Sequence, residues 1–528
     1  MIALRRLALI LLLACFAGTA RADQQDLTAA ARGVVRVAIV ATDGDQSYFV
    51  GHGSGFAVAP DKVLTNAHVV ELTRDEKNLV IGVVPSEGKK SYGGRVIAYS
   101  PGNDLALIQI EGGTLPVSTF YAGAPADGLH VTAIGYPGVV DRAQGLGLAQ
   151  MTEPMIPVKT SGNVSSGRSS QSYDTILHTA PLATGNSGGP LVDDCGRVLG
   201  VNSFGSVSDG GNDAEFGFAV SNREIASFLR QAGVQFRRTT AECKSIAQLA
   251  DEDARRTAIE AAQKDAAERA RAEARDSAAS KAREAAEQQV ISARENAMAI
   301  AAVLLAIGVL GVGAAGLAHT QGKSRQATWY GVAGGLMLLG ALVAFILKPS
   351  FSSIDERVAR NSETAEVDNA AGAVAGYDAA GDNICRIDEV RSRITVSETN
   401  DVPLHWSSSG CVNGKTQFIG TNGPAGPQWS RILAPAGEAV ISANSFDPAT
   451  GVYRSDRYLA DSDTLERARD IRARYENVQC SGSPQTLAKV SAMQDALRAI
   501  LPGQPNERLV YQCHKGRIDS TAEGEASQ

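Results

Sequence analysis

Thr184-Gly185-Asn186-Ser187-Gly188-Gly189-Pro190 is the stretch around which the rest of the chain is read. A serine hydroxyl is a poor nucleophile until a base takes its proton and donors receive the developing oxyanion. The glycines beside Ser187 permit backbone conformations that side chains block. They can turn the amides of Gly185 and Ser187 toward one point, as an oxyanion hole. Alone, the tract is equally an ordinary glycine-rich hairpin turn. Two upstream segments decide between these readings. Leu64-Thr65-Asn66-Ala67-His68-Val69-Val70 puts a histidine just after an apolar strand, and Asn103-Asp104-Leu105-Ala106-Leu107 puts an acid just before another. A lone His68 would be a satisfied structural residue and a lone Asp104 a turn former; in role order they become a set.

His68, Asp104 and Ser187 follow one another with gaps of 36 and 83 residues, in the chymotrypsin-like order of base, acid and nucleophile. The sequence resembles trypsin-like serine proteases, and is most similar to their bacterial HtrA/Deg branch. Gly53-Ser54-Gly55-Phe56, Thr65-Asn66-Ala67-His68, Asp104-Leu105-Ala106-Leu107, Gly185-Asn186-Ser187-Gly188-Gly189-Pro190 and Gly217-Phe218-Ala219-Val220 carry the resemblance, over roughly residues 33–236. It implies an all-β double β-barrel, with His68 and Asp104 from the first barrel and Ser187 from the second. It also implies a serine-type endopeptidase acting on polypeptides through an acyl-enzyme, with Gly185 and Ser187 supplying the oxyanion hole. His52, His130 and His178 have no comparable company in the sequence and are left out of the site.

Two departures from the family pattern sharpen the expectation. Asn186 precedes the nucleophile, where digestive proteases carry an aspartate that pairs with a newly cut N-terminus; an amide forms no such charged pair. Pro181, six residues before Ser187, stands where trypsins carry a specificity aspartate. Leu182, with Asn202 and Ser203, is expected to make a small apolar primary pocket that favours cleavage after Val, Ala or Ile. The family usually carries a PDZ domain after residue 236, and no candidate carboxylate-binding loop is seen there.

The 528 residues give a prior of three to four structural units. A net charge of −7 and the lack of a basic patch argue against nucleic acid as a partner. Neither a metal-ligand cluster nor a phosphate-binding loop is present, so no metal or cofactor is expected. Short β-rich runs at Gly55–Val58, Leu79–Val84, Arg95–Ala98, Leu105–Ile110, Val131–Ile134, Arg197–Asn202 and Phe216–Val220 fit a barrel or sandwich.

Residues 1–22 read as a signal peptide: Arg5 and Arg6, an apolar run from Leu7 to Gly18, then Ala20-Arg21-Ala22. An uncleaved anchor is the runner-up, and a lipoprotein reading through Cys15 is weaker. Cleavage leaves six cysteines, compatible with disulfides in an oxidising compartment. Cys195 either pairs with Cys243 or is free, and the four later cysteines allow three pairings.

Ala297–Ala318 and Trp329–Leu347 are 22 and 19 residues without a charge, each long enough to span a bilayer. The loop 319–328 carries Lys323 and Arg325, which would keep it cytoplasmic. The expected organisation is therefore multidomain. The protease unit at 33–236 is followed by a helical stalk at 241–296 and the transmembrane hairpin, in contact with membrane lipid. A linker at 348–380 then leads to a small α+β cysteine-containing domain at 381–516 of unknown role. Placement in a bacterial inner membrane, with both folded domains facing the periplasm, follows from the export signal and the loop charges. Gly331 and Gly335 have the GxxxG spacing that lets two spans approach closely. Ser483, Pro484 and Pro502-Gly503 bound a C-terminal helix with Leu487, Val490, Leu497 and Ile500 on one face.

Overall fold

Gly33-Val34-Val35-Arg36-Val37 opens strand β1 (Val34–Asp43), and strand alternation sorts its side chains. Val35, Val37 and Ile39 enter the first barrel's core, whereas Val34 joins the core shared by both barrels. The structure is a computed structural model and describes residues 24–43, 46–166, 173–206, 216–347, 380–423, 426–435, 438–475 and 480–516. The expected signal peptide and almost all of the expected linker lie outside these residues. The chain forms two units, one of residues 1–253 with 376–528 and the other of residues 254–375.

In the first unit, β1, β2 (Gln46–Ala59), β3 (Lys62–Thr65), β4 (Leu79–Pro85), β5 (Tyr92–Ser100) and β6 (Leu105–Ile110) close a barrel in the order β1-β2-β3-β6-β5-β4. A second sheet contains β7 (Thr119–Tyr121), β8 (His130–Gly135), β9 (Val158–Ser166), β10 (Thr175–His178), β11 (Pro190–Val192), β12 (Val198–Gly205), β13 (Gly217–Ser221) and β14 (Arg237–Thr239). Because β11 pairs with both β8 and β12, six of these strands form a ring, while β7 and β14 extend it alongside β12. Phe56, Leu64, Leu105 and Leu107 from the first barrel pack with Phe120, Ile134 and Val201 from the second. Burying each such side chain is worth roughly 1.5–3 kcal/mol, which holds the two barrels face to face.

The C-terminal domain belongs to the same unit. Its nine strands, β15 (Gly381–Ile387), β16 (Val402–Trp406), β17 (Cys411–Val412), β18 (Thr416–Gln417), β19 (Ile419–Gly423), β20 (Gly426–Leu433), β21 (Ile441–Asp447), β22 (Val452–Tyr458) and β23 (Glu507–Lys515), form one sheet. Helices Ser462–Ala473 and Pro484–Arg498 pack on it through Leu465, Ala468, Met493 and Leu497. Ser483 caps the second helix by accepting from the Thr486 amide. Cys195–Cys243, Cys385–Cys513 and Cys411–Cys480 are disulfides, which closes both pairing questions. The first ties the turn after β11 to the chain beyond β14.

The C-terminal domain meets the protease barrels through the N-terminal helix Gln24–Ala31. Ala29 packs with Val440 and Leu459, the Asn506 amide donates to Asp26 Oδ1 at 3.0 Å, and Arg237 donates to the Val396 carbonyl at 2.8 Å.

One helix runs unbroken from Ile246 to Thr320, and a second covers Ser324–Ile346. Stalk and first apolar segment are thus continuous, and the turn is shorter than the expected loop. Both helices are long and apolar enough to cross a membrane, and only 11% of either apolar window is buried. The tightest approach between them is at Gly334; of the GxxxG pair, Gly331 faces Ala315, 3.8 Å from an added methyl, while Gly335 does not face the partner helix. A methyl on Gly311 would lie 3.1 Å from Gly334 Cα, whereas one on Gly335 would meet nothing within 4 Å.

Candidate active site

Strand β3 ends at Thr65, and the short helix Ala67–Val70 follows, with His68 in its first turn. Asp104 lies between the 3₁₀ turn Pro101–Asn103 and β6, with a positive φ of 52°. Such a conformation is uncommon outside glycine and is best tolerated by Asp and Asn. The Asn66 side chain donates to the Asp104 carbonyl at 2.8 Å and ties the two segments together. His68 Nδ1 then lies 3.0 Å from both carboxylate oxygens of Asp104, and the His68 amide donates to Oδ1 at 3.2 Å. A proton on Nδ1 is fixed by this contact, which leaves Nε2 with a free lone pair.

Ser187 rides on a turn shaped by two glycines, Gly185 at φ 103° and Gly188 at φ 88°. Strand β12 clamps that turn. The Gly188 amide donates to the Asn202 carbonyl at 2.8 Å and the Asn202 amide donates to the Gly189 carbonyl at 2.9 Å. Among the described residues, the amides of Gly185 and Ser187 donate to no backbone carbonyl, so both are open to a ligand. The Ser187 hydroxyl donates to the Ser203 carbonyl at 2.8 Å, and no hydrogen bond joins it to His68.

Gly188→Ala is expected to destroy the turn. The new methyl would stand 2.0 Å from the Ser54 carbonyl oxygen and 2.2 Å from Thr65 Oγ1, on a φ that disfavours any side chain. Strain and overlap together should cost about 3 kcal/mol or more. Thermal unfolding of the full chain checks it.

The side chains of Asn202 and Ser203, both expected at the primary pocket, are each held by a neighbouring segment. Asn202 is fully buried, and its amide group donates to the Gly189 carbonyl at 3.1 Å. The Ser203 hydroxyl donates to Asp104 Oδ2. Leu182 is half-buried against the second barrel's core. A methyl on Gly217 would meet both His178 and Leu182, at 2.4 and 2.9 Å, so these three residues are in contact. His178 is fully buried, and desolvation pushes it down to about 4, which keeps its imidazole neutral.

His52 also has company that the sequence did not show. Its Nε2 lies 2.8 Å from the Tyr136 carbonyl and 3.4 Å from the buried Asp141 carboxylate. Ser54 was quoted only as part of a motif. Its hydroxyl donates to the Gly185 carbonyl at 2.7 Å and accepts from the Tyr136 amide at 2.9 Å. Only pairing between distant strands brings these groups together, and no local pattern announces it. Among the described residues, no group of three or more His, Cys, Asp or Glu side chains is placed to hold a metal ion.

Residues 53–201 match the family model of the trypsin-like peptidase domain. Serine protease Rv3671c of Mycobacterium tuberculosis is 32% identical over 194 residues, covering 37% of this chain and 45% of the relative. The periplasmic serine endoprotease DegP of Escherichia coli K12 is 34% identical over 200 residues, covering 36% and 37%. The crystal structure of the Rv3671c protease in its active form aligns with a TM-score of 0.32 at 26% identity, over 43% of this chain and 94% of that one. The chain thus spans less than half the length of these two curated relatives.

Proposed function

We infer that the trypsin-like peptidase domain carried by this chain makes it a serine endopeptidase, with His68, Asp104 and Ser187 as its catalytic residues. The observation that carries this reading is the Asp104 carboxylate on His68 Nδ1, combined with two open amides beside Ser187. The Ser187 hydroxyl turns from the Ser203 carbonyl to His68 Nε2, gives up its proton there and attacks a peptide carbonyl. The carbonyl oxygen becomes an oxyanion held by the Gly185 and Ser187 amides. His68 then protonates the departing amine, leaving an acyl-enzyme, and water activated by the same imidazole releases it. Asp104 holds the tautomer and stabilises the imidazolium.

Covalent labelling of the full-length protein in membranes by a fluorophosphonate tests this reading. An active enzyme reacts at Ser187; a chain that never labels would leave a catalytically silent binding or signalling protein, with the C-terminal domain as its sensor. The Ser187 hydroxyl's bond to the Ser203 carbonyl is the one observation that favours this second reading. Removing residues 381–528 and finding regulation of peptidase activity unchanged would count against a sensor role.

The two apolar helices support membrane anchoring, and Lys323 and Arg325 near their turn support a cytoplasmic tip. Both folded domains would then face the periplasm of a bacterial inner membrane. DegP, a relative, is a periplasmic endoprotease. Envelope quality control or regulated cleavage of a neighbouring protein fits that location. The primary pocket would be formed by Leu182 with Asn202 and Ser203, with Pro181 where a carboxylate would select cations. A peptide-library profile is therefore expected to favour Val, Ala or Ile before the cut over Arg, by roughly tenfold or more. A profile dominated by Arg would refute this.

A further inference from the structure

Strand β2 presents His52 and Ser54 on one face, two residues apart. Both grip the segment 136–138 and, through it, the turn that carries Gly185. Ser54 links the Tyr136 amide to the Gly185 carbonyl. The Gly138 amide donates to the Thr184 carbonyl at 2.8 Å. His52 Nε2 sits 2.8 Å from the Tyr136 carbonyl, an acceptor only, so that nitrogen carries the hydrogen. A methyl built on Gly185 would stand 2.3 Å from the Tyr136 carbonyl oxygen and 2.8 Å from His52 Nε2. The imidazole therefore rests against the backbone of the residue whose amide is the candidate oxyanion donor.

Behind His52 lies a buried ion pair. Arg36 on β1 places a guanidinium nitrogen 2.8 Å from Asp141 Oδ1, a second 2.9 Å from the Met151 carbonyl, and its plane over the Tyr136 ring. Asp141 Oδ2 accepts no hydrogen bond and is 3.4 Å from His52 Nε2. The Arg36, Asp141 and His52 side chains are only 1%, 9% and 10% exposed. Taking such charges out of water costs several kcal/mol per ion before their attraction is counted. Their position beside the turn, in a chain with Asn186 where a carboxylate would anchor it, indicates a task beyond stability.

We propose that His52 is a positioning residue for the oxyanion hole. Held by the Tyr136 carbonyl and backed by Asp141 and Arg36, its neutral imidazole fixes the direction of the Gly185 amide. This rests on the peptidase reading above and deepens it.

The charged and titratable groups facing His52 are Arg36 from β1, Tyr136, and Asp141 and Arg142 from the helix Gly138–Ala143. Burial lowers the His52 pKa below the ordinary histidine value. The Tyr136 carbonyl opposes this, Arg36 adds to it, Asp141 opposes it and Arg142 adds to it. The neutral, competent form is therefore present at neutral and higher pH, and it is lost as pH falls through that lowered value. Protonation would place a third cation beside two arginines and spend a second ring N–H on the same crowded site.

The test measures the rate at which a fluorophosphonate labels Ser187 in the full-length wild type, His52→Ala and His52→Gln, from acid to about pH 8. At about pH 8, His52→Ala should label roughly ten- to a hundredfold more slowly, somewhat less than the loss from deleting an oxyanion donor outright. Gln keeps an N–H donor and should recover most of the rate. On the acid side the wild type loses the neutral His52 imidazole, so its rate should fall more steeply than that of His52→Gln, which has no imidazole there to protonate. If His52→Ala fails to fold, the slope of His52→Gln alone decides. Equal wild-type and His52→Ala rates, or an acid limb equally steep in wild type and His52→Gln, would overturn this inference and leave the peptidase reading standing. A wild type that never labels removes both.

Discussion

Ser187→Ala is expected to abolish fluorophosphonate labelling and to lower peptidase turnover by about 10⁴- to 10⁶-fold. The size of the loss follows from what the site retains. Without the hydroxyl no acyl-enzyme forms, while the Gly185 and Ser187-position amides still bind a carbonyl and supply the residual rate over water. The fold should survive, because the hydroxyl's one hydrogen bond is to the Ser203 carbonyl at 2.8 Å, and such a bond is worth about 1 kcal/mol net. His68→Ala should be nearly as damaging, and the double variant little worse than either single one, because the residues act as a unit. Additive losses in the double variant would show that Ser187 and His68 do not work together.

The parts of this site that were legible in the sequence are those whose chemistry is local. The Ser187 turn announces itself because two positive-φ positions need glycine, and both Gly185 and Gly188 adopt them. Asp104 and His68 were legible because each abuts a strongly apolar strand, and β6 falls on the expected Leu105–Ile110. Strands β7, β9, β10, β11 and β14 were not. Thr119–Tyr121 and Pro190–Val192 are too short to show a period, and Val158–Ser166 is rich in Ser, Gly and Asn that mimic loop composition. Position along a strand does not reveal which partner captures a polar side chain: those of Asn202 and Ser203, the Gly189 carbonyl and the Asp104 carboxylate, lie on other segments. His52 was missed for the same reason, since its setting is built from β1, β2 and the helix Gly138–Ala143. In the pair of apolar helices the glycine spacing was visible, but the rotation that places Gly334 rather than Gly335 at the contact is set by packing.

Asp26→Ala should give a large loss of stability. Asp26 and Arg393 are 1% and 4% exposed and form an ion pair between the N-terminal helix and the C-terminal domain. Arg393 also donates to the Asn506 carbonyl at 3.1 Å, and the Asn506 side chain donates to Asp26 at 3.0 Å and accepts from the Leu459 amide at 2.9 Å. Truncating Asp26 leaves a desolvated guanidinium and an orphaned amide donor, a loss of about 3–5 kcal/mol. That is a large part of the roughly 5–15 kcal/mol that holds a typical domain together. Pulse proteolysis of the full chain in urea reads it directly. At about 2 kcal/mol per molar urea, the midpoint for cleavage should fall by roughly 1.5–2.5 M. Replacing both partners by apolar residues, as in Asp26→Leu with Arg393→Met, removes the buried charge along with its partner and should recover most of the loss. The contrast between single and double variant is the decisive observation. If Asp26→Ala leaves the midpoint unchanged, the two charges are hydrated rather than buried, and the C-terminal domain is not docked on the helix that leads into the first barrel.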